Sequence, residues 1–156
     1  MQEFLTTWIL RHRRENLHKC SLSGLEGRED LVFYTYPQDT LPPLTKTIVL
    51  ALEAPLLSKE DADNHLLLID GTWKHATVMF SQLPKPHLFE RRSLPPKLET
   101  AYPRRQNDCI DPKRGLASIE ALYAAYTLLG RDPQGLLDHY HWKKEFLNKN
   151  SFLFYS

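Results

Sequence analysis

Apolar residues in this chain fall into short runs rather than long periodic stretches. Phe4 to Leu10, Leu31 to Tyr34, Ile48 to Leu52 and Leu66 to Ile69 each read as a strand. Spacers of roughly 10 to 20 residues separate them, a length that suits crossover connections and a largely parallel sheet. Leu17, Cys20 or Ser21, and Leu25 suggest a helix between the first two strands, with Gly24 or Gly27 near its end. Pro37, Pro42 and Pro43 argue against a long helix before the third. Ser58 to Ala62 suits a short helical turn. A fifth strand fits Leu88 to Arg92, inside a stretch from 83 to 114 that is otherwise aperiodic and rich in proline. Leu116, Ile119, Leu122 or Tyr123, Tyr126 and Leu129 recur at helical spacing and predict a helix from Gly115 to Leu129, closed by Gly130. Asp132-Pro133 then offers the N-cap and first position of a last helix to about Asn148.

The fourth run is the most informative. Leu66-Leu67-Leu68-Ile69 is continuously apolar, as in a strand buried on both faces. Asp70 follows at its C-terminal end, where open α/β sheets hold their ligands. Gly71 permits a backbone conformation or close approach that a β-carbon would block, and Thr72 suits the N-cap of a helix starting at Trp73 and continuing to Gln82. If the strands are parallel, Arg11 and His12 leave the first strand at the same edge. Glu53 at the end of strand three reads as a plain solvent-facing terminus.

Composition narrows the class. The 156 residues are 42% apolar and 25% charged, as expected of one soluble globular domain. The net charge of +1 does not announce a nucleic-acid binder, so distribution matters more than the sum. The loop from 83 to 114 holds Arg91, Arg92, Lys97, Arg104, Arg105, Lys113 and Arg114; it is either a solvated basic loop or a phosphate-binding one. Cys20 and Cys109 form no Cys-x-x-Cys pair, so no zinc module is encoded. No run approaches the roughly 20 apolar residues of a membrane helix, and Met1 to Phe4 lacks the marks of a signal peptide. The expected address is the cytoplasm.

The order Asp70-Gly71-Thr72-Trp73 resembles the motif that gives the DTW-domain family its name, Asp-x-Thr-Trp. Two further blocks agree in order. Tyr102-Pro103-Arg104-Arg105-Gln106 with Gly115-Leu116-Ala117-Ser118-Ile119-Glu120-Ala121 resembles the family's second block, with Ser118 at the usual threonine position. Trp8-Ile9-Leu10-Arg11-His12-Arg13-Arg14-Glu15 resembles its first strand and the His-x-x-Glu-like continuation. There are two departures. The cysteine cluster of many relatives has no counterpart here, and Leu52-Glu53-Ala54-Pro55 stands in place of a Pro-Ser-like stretch.

The resemblance implies a SPOUT-like α/β fold with a C-terminal trefoil knot. It implies transfer of the 3-amino-3-carboxypropyl group of S-adenosylmethionine to uridine N3 in tRNA, with release of 5′-methylthioadenosine and no metal. Asp70 is then a candidate general base or orienting group, with Thr72 and Trp73 beside it. Trp73 either stacks on cofactor or base, or packs its helix on the sheet. Leu67, Leu68, Ile69, Leu94 and Leu116 would line the adenine pocket. Ser118 and Glu120, at a helix N-terminus, either cap it locally or face the donor's carboxylate. Arg11, His12, Arg13, Arg14, Arg91, Arg92, Arg104, Arg105 and Gln106 would meet the tRNA. The Asp-Gly-Thr-Trp order favours tRNA over the ribosomal RNA branch. A methyltransferase or a non-catalytic RNA-binding module are the alternatives, and the oligomeric state stays open.

Overall fold

The computed structural model describes residues 5–13, 22, 24–42, 44–51, 54–70, 73–83, 89–102 and 116–154. Five strands form one sheet: β1 (Thr7–His12), β2 (Leu31–Tyr36), β3 (Thr47–Leu50), β4 (His65–Asp70) and β5 (Glu90–Arg92). Their order is β2-β1-β4-β3-β5, and every pairing is parallel. Among the described residues the helices are α1 (Trp73–Ser81), α2 (Ser118–Leu129), α3 (Lys143–Lys149) and α4 (Ser151–Phe154), with a 3-10 turn at Lys59–Asp61.

Period-two geometry divides each strand between two cores. On one face Ile9, Ile48, Leu66 and Leu68 pack with Ile119, Leu122 and Tyr126 of α2. On the other Leu10, Val49 and Leu67 pack with Met79 of α1, Leu41 and Leu83. Continuous apolarity in β4 is therefore a consequence of two covered faces. Parallel strands need crossovers, and these supply the covers.

The order also fixes where a ligand can go. The chain leaves β1 towards β2 on one side and leaves β4 towards β5 on the other. Connections that depart in opposite directions open a crevice at the C-terminal ends of the two adjacent strands. Arg11 lies opposite Asp70 in that register, so the crevice has a charged residue on each wall.

One expectation changes. The last helix does not run from Asp132 to Asn148: residues 134–139 are turns, and helix begins at Lys143. Asp132 accepts the amide of Gln134, and Gly135 then takes φ +87°, which no right-handed helix contains. The helix expected around Leu17 to Leu25 lies mostly outside the described residues; 26–27 and 29–30 are turns. β1 begins at Thr7 rather than Phe4, the other strands end differently by a residue or two, and α2 starts at Ser118 because Ala117 is extended (φ −64°, ψ 155°).

Glu120 pins the first turn of α2. Although fully buried, its carboxylate accepts four hydrogen bonds: from Thr100 Oγ1 (2.6 Å), Tyr140 Oη (2.9 Å), and the amides of Ala101 (2.9 Å) and Ala117 (2.8 Å). Glu120→Ala would leave those donors without an acceptor, each costing about 1–3 kcal/mol if it stays dry. The expected loss exceeds about 3 kcal/mol in denaturant titration; an unchanged midpoint would contradict the role.

At the opposite end of the sheet, Tyr126 Oη shares hydrogen bonds with Thr7 and Asp30, and Arg28 pairs with Asp30 at 2.7 Å. Burial alone would raise the Asp30 carboxyl; hydrogen bonds from Arg28 and Tyr126 and the Arg28 charge outweigh it and hold it below its ordinary range. A lowered folded value contributes stability above the unfolded value that is lost as pH falls through the folded one. Asp30→Asn should flatten the acid limb of the stability–pH curve below about pH 4. Superimposable wild-type and variant curves would refute this.

Candidate active site

Asp70 ends β4 and is 5% exposed. Strand alternation places it on the α2 face with Leu66 and Leu68. Ser118 Oγ, in the first residue of α2, donates to Asp70 Oδ1 at 2.5 Å. Arg11 Nε, from β1, lies 3.4 Å from Asp70 Oδ2. One carboxylate thus joins two strands and a helix N-terminus, and the three groups come from positions 11, 70 and 118.

Arg11 is 8% exposed, because it follows Ile9 on the inward face of β1. Its guanidinium carbon lies 4.8 Å from the Phe33 ring centroid, and Nη2 is 3.7 Å from Glu26 Oε1. Expected to leave β1 at the same edge as Asp70, Arg11 does so as a buried side chain. Glu26 was not singled out from the sequence; only its approach to Arg11 reveals it.

The expected adenine lining separates between the faces. Leu68, Leu94 and Leu116 belong to the α2 side with Asp70 and Ser118. Leu67 and Ile69 belong to the α1 side, so their side chains do not share that wall. Glu120, fully enclosed by its four donors, faces the interior beneath α2 rather than the crevice.

Around the rim, His12 is half-buried and stacks on His75 of α1 at 3.9 Å with planes 6° apart, and Tyr36 flanks it at 5.7 Å. This stack was not legible beforehand, since it needs α1 docked beside β1. Arg13 is exposed just beyond β1. Arg91 is exposed and sets its guanidinium 4.2 Å from the Phe80 centroid. Arg92 is engaged by Asp61 at 3.3 Å and Glu90 at 3.4 Å. Thr72, Arg14, Arg104, Arg105 and Gln106, with Glu53, lie outside the described residues, and Trp73 is placed only as the start of α1. No group of three or more His, Cys, Asp or Glu side chains that could hold a metal occurs among the described residues.

A parallel α/β sheet carrying a buried carboxylate at its switch point, tied to a helix N-terminus, defines an α/β protein of the open parallel-sheet class. The DTW domain model matches residues 1–148, and the chain belongs to that family. Among solved structures, the SAM-dependent rRNA:acp-transferase Tsr3 from Vulcanisaeta distributa is similar, with a TM-score of 0.73 and 24% identity over 96% of this chain and 80% of that one. At that identity the likeness establishes the fold. No curated protein matches the sequence.

Ser118→Ala removes the donor to Oδ1 while leaving Arg11 in place. We expect it to lower thermal stability only modestly, by about 1 kcal/mol, and to weaken any function of Asp70 far more. A loss of stability that accounts for the whole loss of function would count against a positioning role for Ser118.

Proposed function

We propose that this protein is an S-adenosylmethionine-dependent aminocarboxypropyltransferase that modifies uridine N3 in tRNA and releases 5′-methylthioadenosine. One observation carries the reading: a buried carboxylate, held by Ser118 and Arg11, stands at the switch point of a DTW-domain sheet. The structural neighbour, named as a SAM-dependent acp-transferase, supports it.

The residues present suit such a donor. A buried carboxylate complements a sulfonium, and Leu68, Leu94 and Leu116 bring apolar surface to the same sheet face. When bound, the donor supplies an activated carbon and a neutral thioether leaving group. The chain supplies orientation and electrostatics. Ser118 and Arg11 fix the Asp70 carboxylate, which can hold positive charge and accept the N3 proton of uracil. Thr72 and Trp73 remain candidates beside it, as does Ile69 through its backbone.

Exposed Arg13 and Arg91 and half-buried His12 are the proposed RNA contacts among described residues, with Arg14, Arg104, Arg105 and Gln106 as further candidates. The same reading includes a single domain over residues 1–156, a C-terminal trefoil knot, a cytoplasmic address and no metal. A second reading takes ribosomal RNA as substrate, and the rRNA substrate named for the neighbour favours it.

Incubation with S-adenosylmethionine and unmodified tRNA or ribosomal RNA, followed by nucleoside mass spectrometry, decides between them. Aminocarboxypropyluridine in tRNA with methylthioadenosine as co-product is expected; S-adenosylhomocysteine would reveal a methyltransferase instead. Asp70→Asn should lower transfer by about 100-fold or more, well beyond any loss of donor affinity; retained turnover would remove Asp70 from the chemistry. RNA affinity should fall steeply with added salt.

A further inference from the structure

We infer that Arg11 reads the carboxylate of the donor's amino-acid tail and so selects a zwitterionic three-carbon arm. The inference rests on the donor assignment above and names a subsite within that crevice. Arg11 is nine-tenths buried, yet Nη2 has no hydrogen-bond partner. Nε reaches Asp70 at 3.4 Å, long for a charge-assisted bond, and Glu26 stands 3.7 Å from Nη2, beyond hydrogen-bond reach. A buried guanidinium with an unused donor is costly unless something completes it.

The surroundings say what completes it. Ser118, the first residue of the twelve-residue α2, shares the Asp70 carboxylate with Arg11, so the guanidinium and a helix N-terminus flank one site. Both favour an anion. Among the described residues Asp70 and Glu26 already outnumber Arg11, so a phosphate would add to an excess of negative charge. Those three side chains carry one net negative charge. A donor with a sulfonium, an α-ammonium and an α-carboxylate carries one net positive charge. The carboxylate meets Arg11 and α2, while Asp70 meets the cationic groups. Fixing the tail at its far end removes rotations of the arm, which matters when the arm itself is transferred. Glu26, half exposed, is the group an incoming carboxylate competes with for Nη2.

The test reads binding rather than turnover. Calorimetry compares S-adenosylmethionine, its decarboxylated form and 5′-methylthioadenosine on wild type and Arg11→Met. Wild type is expected to prefer S-adenosylmethionine to the decarboxylated form by about tenfold. Arg11→Met is expected to lose that preference while binding methylthioadenosine as wild type does. Equal preference in both proteins overturns the role of Arg11 and leaves the donor reading standing. The same holds if Arg11→Met alters only RNA affinity, which would assign Nη2 to a phosphate. Wild type that binds none of the three ligands overturns both. Since Arg11→Met strands a buried Asp70 and can fail to fold, Glu26→Gln provides an independent arm. It should tighten S-adenosylmethionine about two- to threefold with methylthioadenosine unchanged, and an unaltered ratio of the two affinities counts against the inference.

Discussion

A carboxylate at the end of a buried strand must be neutralised or hydrogen-bonded, or it does not remain there. Asp70 meets that requirement with Ser118 on one oxygen and Arg11 near the other. Both of these partners come from elements that must already be in place, β1 beside β4 and α2 beneath them. The rest of the molecule can be understood as satisfying this constraint. The sheet order brings Arg11 and Asp70 abreast, and the Glu120 hub holds the first turn of α2 where Ser118 can reach. Local charge satisfaction and global topology are thus one problem, solved at one crevice.

Much of the fold could be read directly from residues. Short apolar runs give β1 to β4, and the Ile119–Leu122–Tyr126–Leu129 stripe gives α2, because both patterns reflect burial that the elements would have in any parallel α/β protein. The turns at 134–139 were hidden, because Leu136, Leu137 and Tyr140 are buried whether the segment is helical or not. The positive φ of Gly135 distinguishes the two outcomes, whereas the Asp132 side-chain bond is one that a helix N-cap also makes. A glycine in a helical pattern is a weak signal beside a convincing Asp-Pro start.

Site residues divide in the same way. Asp70 and Ser118 were legible because a motif named them. Their contact was not, since residues 48 positions apart meet only through tertiary packing. Arg11 was expected at the same edge as Asp70, and its alternation with Ile9 turns it inward. The run Leu67-Leu68-Ile69 looked like one wall, yet its period of two divides it between opposite faces. Glu120 resembled a capping residue, and it does reach back to the Ala117 amide. Three of its four donors arrive from elsewhere in the chain, which no local pattern announces.

The short border strand β5 has a colloidal consequence. It consists of Glu90, Arg91 and Arg92, and it forms one margin of the sheet. A strand from another molecule that tried to lengthen the sheet there would have to dehydrate three ionic side chains and part Arg92 from Asp61. Head-on fibre growth from that margin is therefore opposed by hydration itself.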